Sequence, residues 1–187
     1  MEMAKSTDPQ PVSDLETPAV VVDLDRLDAN LRKTAELAKK ANVKLTPHSK
    51  THKSEWIAKQ QLQYGASGIT VAKLSEAEIM AEAGIEDILI AYPIVGQKKL
   101  QRLGELMKRA KITVSTDNLQ VAQGLSELGE SLKINIPVFV DVNTGLNRCG
   151  REPGEETAEL VTRMADLPGI TVTGLMTHAG HAYGITN

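Results

Sequence analysis

The chain has 187 residues, of which 41% are hydrophobic, 24% charged and only 3% aromatic, and its formal net charge is -3. That length suits one substantial domain with a core of Val, Ile, Leu, Ala and Met, and the acidic balance argues against nucleic acid as the main partner. The single cysteine, Cys149, excludes an intrachain disulfide, the N-terminus is polar, and no run approaches the ~18 apolar residues of a membrane span, so a cytoplasmic protein with no membrane partner is expected.

In chain order, residues 1–16 mix Pro, Ser, Asp and Glu without periodicity and read as a flexible lead-in. Ala19 to Asp23 is a β-branched run after Thr17-Pro18 and reads as the first strand. Asp25 then opens a helix, with Leu27, Leu31, Thr34, Leu37, Ala38 and Ala41 at near-helical spacing. From there, strands are predicted at 43–47, 68–72, 87–91, 112–115, 136–141 and 170–176. Helices are predicted between them, at 54–63, 74–83, 97–110, 117–129 and 155–167, and Gly65, Gly84, Pro168 and Gly169 punctuate the passage from helix to strand.

Strands that alternate with helices form a parallel sheet, because each helix is the crossover that returns the chain. An open doubly wound sheet and a closed (β/α)8 barrel both fit this α/β pattern, and alternation alone does not choose between them. About six βα units are present where a barrel needs eight.

Three strand ends carry the chemistry. Pro47-His48-Ser49-Lys50-Thr51-His52-Lys53 follows the strand from Val43. Alternation there places Val43 and Leu45 on one face and Thr46, His48 and Lys50 on the other, at the strand end where parallel α/β proteins bind ligands. Neighbouring cations and partial burial offer Lys50 a route to a lowered pKa and hence to nucleophilicity; a solvated basic turn is the plain alternative. Asp141 to Gly150 follows the apolar strand 136–140. Its Arg148 suits a carboxylate or phenolate, although a tight turn with Arg148 paired to a surface acid explains the same residues. Thr177-His178-Ala179-Gly180-His181-Ala182-Tyr183-Gly184 follows the last strand. His178 and His181 have a separation compatible with a metal, but no third ligand is evident, and a His178 that bonds to a cofactor ring is preferred. Cys149 reads as a small buried hydrophobe and Trp56 as packing. Tyr92-Pro93 either shares the face of Lys50 or forms a turn. Glu76 and Glu78 complement a helix dipole.

Taken in order, Thr17 to Leu24, Pro47 to Lys53, Asn143 to Gly150 and His178 to Tyr183 resemble the D-threonine aldolase and D-serine dehydratase group of the alanine-racemase-like enzymes that use pyridoxal 5'-phosphate (PLP). The resemblance implies a (β/α)8 TIM-type barrel of which this chain is an incomplete N-terminal part. Residues 25–187 would be a partial PLP-binding barrel, and 17–24 a strand of a second, β-rich domain. It implies that Lys50 is the catalytic lysine that forms the imine with PLP. His48, Arg148, His178, Gly180 and Tyr183 would be cofactor contacts, with Arg148 near the phenolic oxygen and His178 beside the ring.

The implied activity is a lyase acting on small D-β-hydroxy amino acids, by aldol cleavage or by dehydration; an amino-acid racemase and a non-enzymatic PLP-binding protein are the alternatives. The resemblance further implies a divalent metal whose ligands are not in this chain, and a homodimer. Members of the group are much longer, and phosphate sites in such barrels commonly use the loops after strands seven and eight. A truncated chain with weak PLP affinity and little turnover alone is therefore expected.

Overall fold

The computed structural model describes residues 11–185. Most of the predicted lead-in, residues 1–10, lies outside the described residues. Val12–Asp14 forms one 3-10 turn. The run 19–23 joins no ladder among the described residues, and Val20 is 99% exposed.

Helix α1, Leu24–Lys40, starts where Asp23 accepts the Arg26 N–H, which satisfies one of the helix's free amides. Then α2 (Glu55–Gln63), β1 (Ile69–Val71), α3 (Leu74–Glu82), β2 (Asp87–Ile90), α4 (Gln97–Met107), β3 (Lys111–Thr116), α5 (Leu119–Leu132), β4 (Ile136–Asp141), α6 (Glu155–Ala165) and β5 (Ile170–Met176) alternate along the chain. Beyond the run 19–23, the expected first strand, the predicted elements match these closely, with two instructive differences.

The first difference is the run 43–47, which is not a regular strand. It touches β1 through Thr70 N–H to Pro47 O and a lone parallel bridge between His48 and Thr70, and the residues just before β1 through Ser67 N–H to Leu45 O. Pro47 has no N–H to extend a ladder. Val43, expected under the helices, is exposed.

The second is the end of α5, which continues past Gly129 to Leu132 and stops where Lys133 turns left-handed at φ +57. Gly129 permits close packing instead of ending the helix, because a Cβ there would run into the Gly169 carbonyl.

The strand order decides the architecture. All neighbours are parallel, and the order is β1-β2-β3-β4-β5 without reversal. A doubly wound sheet reverses direction at a switch point; a sheet that always advances the same way keeps its right-handed crossovers on one face, as a barrel does. The burial pattern agrees. Ile69, Val71, Ile88, Ile90, Ile112, Val114, Ile136, Val138 and Val140 are buried in one cluster with Ala77, Met80, Leu103, Leu106, Ala122, Leu125 and Met164 of the helices. The intervening strand residues face the other way, into the concave side. The fold is an incomplete (β/α) barrel. Among the described residues, no helix is long and apolar enough to cross a membrane.

Candidate active site

The concave side holds a cavity of about 320 Å³ at the carboxyl ends of the strands, near the lower bound of about 300 Å³ usual for small-molecule sites. Its floor comes from alternate strand positions, Thr70, Leu89, Asp141 and Met176, with Ala91 just past β2. Thr70 and Leu89 are register partners, as are Asp141 and Met176, so sheet pairing alone places them side by side. The rim is built by His48, Lys50, Arg148, Cys149, His178 and Tyr183. The three predicted clusters, separated by up to 135 residues of chain, meet here.

Each rim loop is held by its own backbone contacts. Ser49, fully buried, donates its N–H to Thr70 O at 2.8 Å, and Lys50 N–H donates to His48 Nδ1 at 3.2 Å. His48 is therefore an acceptor at Nδ1. Burial first, and the Lys50 charge second, hold its pKa below the usual imidazole value.

The loop after β4 is organised by buried Asn143. Its Oδ1 accepts the Gly145 and Asn147 N–H groups, each at 3.0 Å, and its Nδ2 donates to Asn147 Oδ1 and Glu152 Oε1. Gly150 N–H closes the loop onto Asp117 Oδ2 at 2.8 Å. Arg148 lines the cavity and forms no ion pair among the described residues; the neighbouring pair on this loop is Arg151 with Glu156.

The loop after β5 leans on that one. Thr177 and Thr144 share a hydroxyl hydrogen bond of 2.8 Å, and the Tyr183 ring meets His178 edge-on at 5.8 Å. His178 also titrates below the ordinary value, through burial and then through Arg148 and Lys50. Gly180 does not line the cavity. It lies against Leu146 and His178, where a Cβ would sit 3.2 Å from Leu146 Cδ2. His181 packs over Gly145 and does not line the cavity that His178 lines.

Several expectations change. Cys149 is exposed and lines the cavity; it is no buried hydrophobe, because the loop wound around Asn143 turns its thiol to the Asp141 carboxyl. His52 stays out of the site. Its Nδ1 accepts the Ser54 N–H at 3.0 Å, its Nε2 is buried beside Gln61, and burial lowers its pKa, so it is no cationic neighbour for Lys50. Trp56 is half exposed in an apolar cleft with Val20, Val22 and Leu24. Tyr92 lines a separate cleft with Lys73, Lys99 and Arg102.

Asp141 is the floor residue whose role the sequence understated. It is buried at the end of β4, and desolvation raises its pKa, opposed by the Cys149 hydrogen bond and Arg148. A carboxylate that ends an apolar strand was the available signal. Among the described residues, no group of three or more His, Cys, Asp or Glu side chains converges as a metal site would require.

Residues 22–186 match the model of the family described as alanine racemase, N-terminal domain. The chain is 40% identical over 174 residues to a D-threonine aldolase of Arthrobacter sp., covering 91% of this chain and 45% of that protein. Among solved structures it resembles the D-threonine aldolase of Filomicrobium marinum, with a TM-score of 0.84 and 41% identity, covering 88% of this chain and 44% of the other. It also resembles the D-threo-3-hydroxyaspartate dehydratase of Delftia sp. HT23, with a TM-score of 0.84 and 32% identity, covering 93% and 46%. The chain thus spans less than half the length of the relatives it matches.

Proposed function

Because the chain belongs to the alanine racemase N-terminal domain family, we propose that its cavity is the cofactor site of a PLP-dependent lyase acting on D-β-hydroxy amino acids. The observation that carries this reading is the convergence of Lys50, Arg148 and His178, from three separate strand ends, on one cavity. The donor set suits the cofactor: an amine for its aldehyde, a guanidinium without a protein carboxylate partner for its ring oxygen, and a planar imidazole for its ring face. When bound, PLP would withdraw electrons from the substrate's Cα and so weaken a bond to that carbon.

The chain's own residues do the rest. Lys50 Nζ would hold the cofactor, and the same amine would stand where it could move a proton at the substrate's Cα. Arg148 binds an oxyanion from the rim. His178, whose pKa is lowered by burial and then by Arg148 and Lys50, offers an imidazole face at the rim. Tyr183 covers one side of His178 and narrows the mouth. The relatives named as aldolase and dehydratase both act on β-hydroxy amino acids by name, which supports that substrate class.

The test is spectroscopic. The chain is mixed with PLP, its absorbance is followed in the imine band, and the product is reduced with borohydride and mapped. Modification concentrated on Lys50 and lost in Lys50→Ala supports the reading. Label scattered over many lysines and unchanged in that variant overturns it.

A further inference from the structure

One buried carboxylate lies outside the cavity and has no part in the chemistry above. Glu76, in the first turn of α3, is only 7% exposed. As the acid in the first turn it complements the helix dipole, and it also reaches back to the turn that carries Lys50. Its Oε2 accepts the Ala72 N–H at 2.8 Å, just past β1, and its Oε1 is ion-paired with Lys53 Nζ. Those two interactions outweigh the burial that would otherwise raise its pKa, so it stays ionised below the usual carboxylate value.

Lys53 is unusual in its own right. Its backbone sits at φ +49, a region that L-residues with long side chains avoid and that surrounding structure must enforce. Its N–H closes the turn by donating to Ser49 O at 2.8 Å. The turn Ser49–Lys53 is therefore held at its start by Thr70 of β1 and at its end by Glu76 of α3, and Lys50 projects from between the two anchors.

We propose that Glu76 is a positioning residue for Lys50: its buried carboxylate holds Lys53, and through the turn Ser49–Lys53 it sets the direction in which Lys50 enters the cavity. This rests on the reading of Lys50 as the cofactor lysine. The carboxylate also acts on His48, where its charge counters burial and the Lys50 ammonium.

Three variants test the latch. Glu76→Gln keeps an acceptor for Ala72 but loses the charge. Lys53→Gly keeps the left-handed backbone and loses the ammonium, while Lys53→Arg restores a cation. Two readouts are taken on folded protein: the share of borohydride-trapped PLP found on Lys50, and hydrogen–deuterium exchange of the Ser49 to Lys53 amides, which needs no cofactor.

Glu76→Gln and Lys53→Gly are each expected to lower the Lys50 share roughly tenfold, as the loss of one charge-assisted bond would. Both should speed exchange in the turn, and Lys53→Arg should restore both readouts. A lowered melting temperature with an unchanged Lys50 share would make Glu76 a scaffold residue and overturn the proposal. So would unchanged exchange in the turn, or faster exchange that leaves trapping as it was. Indiscriminate labelling of the unmodified chain would overturn the cofactor reading, and the positioning role with it, while the exchange data still report whether Glu76 orders the turn.

Discussion

Asn143 and Asn147 hold each other twice: the Asn143 Nδ2 donates to Asn147 Oδ1 at 2.7 Å, and the Asn147 N–H donates to Asn143 Oδ1 at 3.0 Å. Asn147 sits at φ +57, where asparagine is tolerated better than most residues. This reciprocal pair shapes the loop that presents Arg148 and Cys149 to the cavity. Asn143→Ala is expected to cost about 2 kcal/mol, because it removes the buried side chain that accepts the Gly145 and Asn147 amides and donates to Asn147 and Glu152. Asn147→Gly, which keeps the backbone geometry, should cost less. Urea unfolding of both variants checks the order, and equal losses would show that the pairing does not shape the loop.

The two glycines of α5 separate packing from helix propensity. Gly129→Ala is expected to destabilise by roughly 1–3 kcal/mol, because the new methyl meets the Gly169 backbone, although alanine is the better helix former. At Gly124 the nearest atom to an added Cβ is Leu100 Cδ1 at 3.4 Å, an ordinary contact. Gly124→Ala should therefore be neutral or stabilising by up to about 1 kcal/mol. Thermal melts check this: the melting temperature of Gly129→Ala should fall, and that of Gly124→Ala should hold or rise.

Acid should destabilise the fold through its histidines. His48, His52 and His178 all titrate below the unfolded value of 6.5, chiefly because of burial. Groups with depressed pKa values contribute stability that is present above the unfolded value and lost as pH falls through the folded one. Urea midpoints should decline from about pH 6.5 downward, before most carboxylates protonate. His52→Gln should flatten that decline.

Asp141 has the opposite sign. Its pKa is raised above 3.8 by burial, so its stabilising contribution is complete below 3.8 and lost as pH rises through the folded value. Asp141→Asn should therefore stabilise the chain near neutral pH, with a gain that shrinks toward about pH 4. A loss of stability at neutral pH in this variant would mean that the carboxylate is compensated more fully than its neighbours Cys149 and Arg148 suggest.

Cys149 offers a direct view of the cavity, since it is the chain's only thiol and is exposed on the same rim as Lys50. PLP should slow its alkylation, and Lys50→Ala should abolish that protection. Protection that persists in Lys50→Ala would show that PLP occupies the rim without bonding to Lys50, and would overturn the role given to that lysine.

Much of this molecule is legible residue by residue. The β-branched runs at 69–71, 87–90, 111–116, 136–141 and 170–176 and the helices between them follow from local apolar spacing, because a strand or an amphipathic helix buries one side of its own sequence. The residue types at the strand ends, an amine, a guanidinium and imidazoles, also stand in the sequence, and so does their likeness to a known family. Local reasoning fails where a distant partner sets the outcome. Gly129 looks like a helix end and is a close approach to Gly169; His52 looks like a neighbour of Lys50 and is tied to Ser54; Glu76 looks like a dipole ornament and grips Lys53.

By itself, then, the sequence determined the alternation of elements and the chemical groups available, because both depend on residues a few positions apart. Only the tertiary structure decided that the sheet advances without reversal, that the loops at 48–50, 141–149 and 176–183 share one cavity, and that Asp141 lies buried at its floor. Those outcomes depend on strand register and crossover hand, which join residues far apart in the chain and leave no periodic mark within any one segment.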